Sequence, residues 1–452
     1  MTRPQRTRIR TIPLLVGAAV LAAVAACAPG PAPRASNTAS LGPVSRNVGS
    51  GKITLTVWDQ NTDKGIDEAQ QQLNAAFHRK HPNVTIKRVS RSFTDLKTTL
   101  KLALSGDNPP DVVQANQGYP DMGAFVKAGL LRPMNDYADL YGWRDYYPSS
   151  LLKLNSFSRD GKTWQGGDLY GVSQTGELVG LYYNKSVLAE AGIRTPPKTV
   201  AELTADLKKV KATGKVPLGY GDVDKYPGIH LYGFVLSALA GRAKVNDLVK
   251  SSGGAWTDAS EVDAAKTIQR WQRAGYLTPG ANGISIDDAV ASFGQGKSGF
   301  LVTGTWYEAT LHDKNVGFTA LTPPGAANQV TMGGEGLSWS ITSKTRHANA
   351  AAAYIDFIAG RSSTATLIKN GNLPVVVPDS DTPPAGVAAD ITREYRTISR
   401  ANGITPYLDY TTPTFYDTLT AAAQDLVAGR LTPAAFCQKL QADYAAFGTS
   451  NR

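Results

Sequence analysis

Apolar and polar residues alternate along the chain in short runs that are separated by amphipathic stretches. Strict alternation over a few residues is typical of a half-buried strand, and apolar residues three and four apart are typical of a helix. These patterns predict strands at 52–58, 84–89 and 109–114 and helices at 66–80 and 94–105. Strands that alternate with helices in this way indicate an α/β fold with a mainly parallel sheet.

The polar residues at the ends of these strands are the first candidates for a binding site. Asp59 and Gln60 follow the first strand, and Asn116 and Gln117 follow the third. In open parallel sheets, ligands gather at the carboxyl ends of the strands. We therefore expect these four side chains to contact a ligand, and polar turns without a ligand are the alternative.

The stretch 332–341 joins a glycine-rich segment to a strand. Three glycines surround Glu335, and the residues after them alternate between apolar and polar. Glycine lets a backbone bend sharply or lets another group come close to it. A helix is predicted directly afterwards, at 350–358. The stretch is a candidate crossover with Glu335 facing a ligand, and a tight turn into an ordinary strand is the alternative. Trp339 is expected in the core or the wall of the site.

Length and charge narrow the class of protein. The chain has 452 residues, enough for two domains, and 42% hydrophobic and 19% charged residues are typical of a soluble globular protein. The formal charge is +10, but four arginines precede Ile12, and the rest of the chain carries +6 without a strong cluster. No run of basic residues is interleaved with aromatic residues, so nucleic-acid binding has little support.

The first 27 residues predict export. A basic start is followed by an apolar run of 15 residues at 12–26, which is short for a membrane-spanning helix and typical of a signal peptide. The run ends Val24-Ala25-Ala26-Cys27, which resembles the bacterial lipobox. We expect residues 1–26 to be a lipoprotein signal peptide and Cys27 to be lipidated. A plain secretory signal with a chance cysteine is the alternative.

The segment after Cys27 and the other cysteine fit the same interpretation. Residues 27–50 are rich in Pro, Ala, Ser and Asn, which predicts a flexible tether that holds a folded domain on the outer face of the cytoplasmic membrane. If Cys27 is lipidated, Cys437 has no disulfide partner and is expected to be a small core residue. The five histidines are scattered, so we expect no metal site and no cofactor.

Several short blocks, in their order along the chain, resemble the extracellular solute-binding proteins of ABC importers. The closest resemblance is to the sugar and oligosaccharide binders related to maltose-binding protein. The blocks cover almost everything after the tether and include Pro110-Asp111-Val112-Val113, Tyr170-Gly171-Val172, Leu181-Tyr182-Tyr183-Asn184-Lys185, Gly296-Lys297-Ser298-Gly299-Phe300, Gly304-Thr305-Trp306, Gly333-Gly334-Glu335-Gly336-Leu337 and Gly429-Arg430-Leu431-Thr432-Pro433-Ala434.

The resemblance implies an α/β, two-lobed periplasmic-binding-protein-like fold with hinge strands and a ligand cleft between the lobes. The first lobe would take residues 51–177 plus about 333–375. The second would take 178–332 plus about 376–452. Closure of the lobes around a ligand would exclude water from it.

The resemblance also implies particular contacts with a sugar, which needs a flat aromatic platform and hydrogen-bonding side chains around it. Trp306 stands where the family places a stacking ring, and Glu177 stands where it places a carboxylate in the cleft. Family members often supply an aromatic platform from the segment that holds Asp409. Of its aromatic residues Tyr410, Phe415 and Tyr416, we select Tyr416, without a feature that separates the three.

The function implied is that of a non-enzymatic, monomeric receptor. It would capture a carbohydrate, expected to be an oligosaccharide, and deliver it to the permease subunits of an ABC transporter, with the membrane contacted through the lipid anchor. One alternative keeps the fold and binds an anion, a polyamine or a peptide. Another is a surface glycoside hydrolase, which would need a carboxylate pair such as Glu177 and Glu335.

Overall fold

The computed structural model describes residues 43–377 and 385–450, with side chains described to residue 448. The predicted signal peptide and Cys27 lie outside the described residues. The strands are Ile53–Asp59 (β1), Val84–Ser90 (β2), Val112–Ala115 (β3), Ser156–Phe157 (β4), Asp168–Leu169 (β5), Val172–Ser173 (β6), Gly176–Asn184 (β7), Val216–Gly219 (β8), Ser298–Gly304 (β9), Val316–Thr319 (β10), Thr331–Glu335 (β11), Ser338–Ile341 (β12) and Ile404–Thr405 (β13).

Helices lie between and around these strands. They are Ile66–Lys80 (α1), Phe93–Ser105 (α2), Ala124–Lys127 (α3), Asn135–Tyr141 (α4), Trp143–Tyr146 (α5), Ser149–Leu154 (α6), Lys185–Glu190 (α7), Val200–Ala212 (α8), Tyr226–Val249 (α9, with a break at Gly241), Ala259–Arg273 (α10), Ile286–Gly294 (α11), Glu308–Leu311 (α12), Ala348–Ala359 (α13), Thr364–Lys369 (α14), Val387–Arg400 (α15), Phe415–Val427 (α16) and Pro433–Ser450 (α17). Short helical turns add Tyr119–Gly123, Ala281–Gly283, Thr305–Tyr307, Arg361–Ser363 and Leu408–Tyr410.

The first lobe is built on a sheet of order β2-β1-β3-β12-β6. β1 runs parallel to both of its neighbours, whereas β12 runs antiparallel to β3 and β6. The predicted strands and helices of this lobe are confirmed to within three residues. One face of the sheet is covered by α1 and α13, where Trp339 and Tyr354 are fully buried with ring centroids 6.4 Å apart. Trp339 is thus a core residue.

The second lobe is built on a sheet of order β13-β11-β7-β9-β8, with β10 beside the other half of β7. Its strands are buried along most of their length because helices cover both faces, and the centre of β7, at 178–182, is apolar. α11 and α15 pack on one face and α8 and α9 on the other. The two-lobed α/β fold expected from the sequence is confirmed.

The chain passes from the first sheet to the second at 174–175 and returns at 336–337. The stretch 332–341 is therefore divided: β11 belongs to the second sheet and β12 to the first. The boundaries placed at 177 and at about 333 fall inside β7 and β11. Gly333 has φ 154°, and a Cβ there would lie 2.2 Å from the carbonyl oxygen of Glu177. The glycines of this stretch are thus needed for close pairing of β11 with β7.

The two lobes touch on one side of the crossing strands. Tyr410, in the second lobe, donates a hydrogen bond from its hydroxyl to Oε1 of Gln117 in the first lobe at 3.0 Å. Its ring also meets Trp164 edge-on, with the centroids 5.7 Å apart. All three side chains are buried. The two lobes are therefore in contact here through buried side chains.

We expect Tyr410→Phe to favour opening of the lobes, because it removes the hydroxyl that links them. A buried hydrogen bond of this kind contributes about 0.5–1.5 kcal/mol. The radius of gyration of the unliganded protein, measured by small-angle X-ray scattering, should increase. Tyr147→Phe is the matched control, since its hydroxyl donates to the carbonyl of Ala359 within the first lobe at 2.7 Å. An equal change in both variants would contradict a role in closure.

Residues 43–50, which the sequence analysis placed in the tether, lie on the first lobe. Val44 and Val48 pack against its core, and the backbone amide of Ser45 donates to Oδ1 of Asn349 at 3.2 Å. The Arg46 guanidinium lies 4.9 Å from the centre of the Tyr141 ring and donates to a backbone carbonyl. The part of the chain that contacts the lobe thus begins at residue 43 or earlier.

A chain that begins at Gly51 should be less stable than one that begins at Pro43. The shorter chain loses two partly buried valines and the contacts of Ser45 and Arg46, and partial burial of two such side chains is worth about 1–3 kcal/mol. Urea unfolding of the two chains measures the difference. Equal midpoints and slopes would show that the segment contributes nothing to folding.

Candidate functional site

A cavity of about 200 Å³ lies between the lobes, next to the two crossings. Its walls come from both lobes: the loop after β1 and the end of β3 on one side, and the start of α9, the turn Thr305–Tyr307 and the turn Leu408–Tyr410 on the other. The crossings contribute Glu177 and Glu335. The carboxyl ends of β1 and β3 meet here because parallel strands end on one edge of their sheet, as the sequence analysis expected.

Trp306 is the large aromatic side chain on the second-lobe wall. It is half-buried and follows β9 directly. Its ring folds back over Gly304, where a Cβ would lie only 1.8 Å from the ring. Any other residue at this position would push the indole away. Gly304 therefore holds Trp306 against the cavity, 5.4 Å from the His230 ring.

More rings surround the cavity than the sequence analysis selected. Tyr416 lines it, as predicted, and so does Tyr410. Phe415 does not, because it is fully buried against Trp256, with the centroids 4.7 Å apart. The other aromatic side chains in the lining are Phe93, Tyr226, His230, Tyr307 and Tyr407.

Each of the two crossings contributes one carboxyl group to the lining of the cavity. The Tyr407 hydroxyl donates to Oε2 of Glu177 at 3.2 Å, and Nδ2 of Asn155 donates to Oε1 of Glu335 at 2.7 Å. Burial, with repulsion from Asp63, raises the pKa of Glu177 to about 7. Burial, with repulsion from Glu177, raises the pKa of Glu335 to about 8. At neutral pH both protonation states are accessible, so these groups can donate to and accept from hydroxyls.

Gly336 fixes the place of the Glu177 carboxyl group. A Cβ at Gly336 would lie 2.5 Å from Oε1 of Glu177 and 2.5 Å from the Thr175 hydroxyl. The carboxyl group thus occupies the space that a side chain at 336 would fill. The glycine at 336, one of those noted in the sequence, is therefore needed because a larger residue would displace the Glu177 carboxyl group.

The amide and carboxyl candidates of the first lobe divide into two groups. Gln60, Asn116 and, from the second lobe, Asp409 line the cavity together. Burial raises the pKa of Asp409 to about 6, although the nearby Lys97 acts in the opposite direction. These groups surround the aromatic platform with hydrogen-bonding atoms, which is the arrangement a polyhydroxylated ring requires.

Asp59 and Gln117 are not among the residues that line the cavity, and their contact with a ligand stays a prediction. Asp59 is fully buried and accepts two hydrogen bonds from the Arg88 guanidinium, at 2.7 and 3.0 Å. Gln117 is fully buried too, and its Nε2 donates to the carbonyl of Gly336 at 2.9 Å. Both side chains stabilise the walls of the cavity through hydrogen bonds. Asp59 is bonded to Arg88 of β2, and Gln117 is bonded to the crossing at Gly336.

Sequence analysis missed several lining residues on the second lobe. Asp224 and Tyr226 follow β8 closely, and His230 lies one helical turn after Tyr226. The signal that identified Gln60 and Asn116, a polar residue after a strand, was present at Asp224. His230 is buried, its pKa is lowered by burial to about 3, and its Nδ1 has no hydrogen-bond partner in the described structure.

Among the described residues, no three histidine, cysteine, aspartate or glutamate side chains come together as a group that could hold a metal ion. Within the same residues no helix combines the length and the apolar character needed to cross a membrane. Cys437 is buried, as predicted.

Two lobes, the strands that cross between them and an aromatic and polar cavity at the crossings are the features of a solute-binding protein. The sequence profile of the family described as bacterial extracellular solute-binding protein matches residues 72–394, and this chain belongs to that family. The resemblance noted from the sequence is thus confirmed.

Three individual proteins that resemble this chain share 24% to 28% of their residues with it in the aligned regions. An ABC transporter extracellular-binding protein of Pyrococcus horikoshii is 26% identical over 361 residues, covering 76% of this chain and 75% of that protein. The diacetylchitobiose binding protein of Streptomyces coelicolor is 28% identical over 306 residues, covering 64% of this chain and 66% of that protein. The structure of a chitin oligosaccharide binding protein superposes with a TM-score of 0.74 at 24% identity, covering 88% of this chain and 99% of that chain.

Proposed function

We propose that this protein captures a carbohydrate, in particular an oligosaccharide, and delivers it to the permease of an ABC importer. The observation that carries the proposal is the half-buried Trp306 ring, which lines a cavity that also holds amide and carboxyl groups of both lobes. The names of the relatives support it, since they include a binder of diacetylchitobiose and a binder of chitin oligosaccharides.

The chemistry of a sugar fits each part of the wall. The apolar CH face of a pyranose would stack on Trp306, while its hydroxyls would exchange hydrogen bonds with Glu177, Glu335 and Asn116. Carboxyl groups near their pKa serve this exchange well because each can act as donor or acceptor. Since the groups come from both lobes, a sugar would stabilise the closed arrangement over the open one.

The cellular setting is part of the proposal. An exported receptor with a lipidated Cys27 would stay on the outer face of the cytoplasmic membrane, close to its permease, as a monomer that carries out no chemical step. The apolar run at 12–26 and the Ala25-Ala26-Cys27 sequence support this placement. Mass spectrometry of the membrane-extracted protein would reveal the lipid on Cys27 or its absence.

Thermal unfolding of the purified protein with a panel of neutral oligosaccharides tests the proposal. A ligand that binds only the folded protein stabilises it by about 2.7 kcal/mol at a concentration one hundred times its dissociation constant. The panel should vary linkage and length, with citrate, putrescine and a tripeptide as non-sugar controls. A shift with one class of sugar is expected. Shifts with the controls alone would overturn the proposal, and release of shorter sugars would indicate a hydrolase.

A further inference from the structure

The lining of the cavity is strongly acidic. None of the described residues that line it is a lysine or an arginine. Six of them carry carboxyl groups: Asp63, Glu177, Asp224, Asp287, Glu335 and Asp409. A neutral sugar needs hydrogen-bonding groups but gives no reason for so one-sided a charge.

Two of these carboxyl groups belong to opposite lobes and repel each other. Asp63 lies in the loop after β1 of the first lobe, and Asp287 lies in the first turn of α11 in the second. Burial and repulsion from Asp287 raise the pKa of Asp63 to about 6. Asp63 in turn adds to the raised pKa of Glu177. Closing the empty cleft therefore brings like charges together, and a cation between them would reverse that cost.

Two cationic side chains close to the lining are paired with carboxylates outside it. Arg88 is paired with Asp59 and Asp67. Lys97 is paired with Asp121 and lies over the ring of Tyr416, 4.2 Å from its centre. Among the lining carboxyl groups Lys97 acts on Asp409, whereas the pKa of Asp63 is shifted by burial and by Asp287.

The remaining acidic groups have fixed partners that are neutral. Asp287 accepts a hydrogen bond from the Tyr307 hydroxyl at 2.7 Å, and Asp224 accepts one from the backbone amide of Ile286 at 2.9 Å. Hydrogen bonds of this kind orient a carboxylate without cancelling its charge. Each carboxylate also keeps a second oxygen for a ligand.

Two independent features point to a ligand at this acidic end of the cavity. His230 is 6% exposed and its Nδ1 lacks a partner, so a buried polar atom is left for a ligand to satisfy. Tyr226 and Trp306 flank the imidazole, with centroids at 5.2 and 5.4 Å. Faces of aromatic rings attract cations, most strongly where water is excluded.

We propose that the ligand is an amino sugar with a free, protonated amine, whose ammonium group lies among Asp63, Asp287 and Glu177. The inference rests on the proposed function, because the aromatic platform for the sugar ring and the acidic end for the amine are parts of one cavity. An ammonium group has three donors, one for each of these carboxylates. The sugar ring would contact the aromatic part of the cavity lining, and the amine would contact its acidic part.

Matched sugar pairs test the proposal directly. Calorimetric titration of the purified protein should compare glucosamine with glucose, galactosamine with galactose, and the β-1,4-linked glucosamine dimer with its diacetylated form and with cellobiose. The members of each set share their rings and linkage and differ only in the substituent at C2 of each ring. We expect the amine to bind about 10- to 100-fold more tightly than its neutral counterpart, as hydrogen bonds to charged groups imply.

Each outcome has a defined consequence. Equal or tighter binding of the neutral members would overturn the amino-sugar inference and leave the carbohydrate function standing. Binding of putrescine or Ca²⁺ without any sugar would overturn both. Failure of every sugar and every cation to bind would do the same. A preference for the acetylated dimer over the free amine would also count against a cationic ligand.

Salt and pH provide a second readout. Affinity for the amine should fall with added salt, because the attraction is between charges. It should also fall as the pH drops from 7.5 to 5, since Asp63, Asp409 and Glu177 become protonated as the pH falls through their raised pKa values. His230 stays neutral over this range. Affinity for a neutral sugar should change far less, and equal changes would contradict the inference.

Substitution of Asp63 locates the amine. Asp63→Asn should lower the ratio of amine to neutral-sugar affinity by about tenfold or more, and Asp287→Asn should act in the same direction. Asp263→Asn, at an exposed position of α10, removes the same charge far from the cavity lining and should leave the ratio unchanged. A ratio that falls equally in all three variants would indicate a general effect of net charge and would overturn the placement.

Discussion

Replacing Trp306 with alanine should weaken sugar binding by about 30-fold or more. Truncation of an aromatic residue at the centre of a binding site typically costs 2 kcal/mol or more, and each 1.4 kcal/mol is a factor of ten. The ring supplies the flat apolar surface on the second-lobe wall. Because Trp306 is half-buried and follows Gly304 on a short turn, its loss should cost little folding stability.

Trp58→Ala provides the matched control. Trp58 is also half-buried and packs under the Arg91 guanidinium, 4.5 Å from the ring centre, but it does not line the cavity. Calorimetric titration of both variants with the same sugar separates the two positions. Equal losses of affinity would contradict the role of Trp306 as the platform, and so would a Trp306→Ala protein that binds like the wild type.

The second large effect concerns stability and pH. Glu335 is 3% exposed, and burial with repulsion from Glu177 raises its pKa from 4.5 to about 8. The folded state thus binds the proton more tightly than the unfolded state. The corresponding stability is complete below about pH 4.5 and is lost as the pH rises to about 8. With 1.36 kcal/mol per unit of pKa difference, the loss is of the order of a few kcal/mol.

Glu335→Gln should flatten this decline. Its amide oxygen can still accept the hydrogen bond from Nδ2 of Asn155, and it cannot ionise. Both proteins should be unfolded with urea at pH 5, 7 and 9. We expect the free energy of unfolding of the variant to increase relative to that of the wild type as the pH rises. Glu190→Gln makes the same chemical change at an exposed side chain. A flattened profile in that variant too would attribute the effect to net charge and contradict the explanation from burial.

Local pattern was sufficient for the first lobe. The alternation at 52–58 and the helical period at 66–80 are set by neighbouring residues, and the structure has the same elements there. The division of 332–341 between two sheets could not be read in this way. It depends on β11 pairing with β7 and β12 pairing with β3, which are contacts between residues far apart in the chain.

A polar residue after a strand does not by itself show which of two neighbours faces the cavity. Ile53, Leu55, Val57 and Asp59 are all buried and share one face of β1, so the period of the strand itself places Asp59 toward the core. Gln60 points the other way and lines the cavity. If the alternation of β1 is extended by one residue, it places Asp59 and Gln60 on opposite faces.

Other site residues depend on how the lobes close. Asp63 and Asp287 are separated by more than two hundred residues, and nothing local to either indicates that they meet. Residues 43–50 have the composition of a tether, yet Val44 and Val48 find an apolar surface on the first lobe. Both features arise from tertiary packing, which overrides local composition.

The most direct test of carbohydrate binding in the cavity is a crystal structure of the protein with the sugar that stabilises it most. We expect a sugar ring stacked on Trp306 in the cleft and in contact with both lobes. Its polar substituents should bond to Glu177, Glu335 and Asn116. A sugar bound outside the cleft, or one held by a single lobe without contact to Trp306, would contradict it.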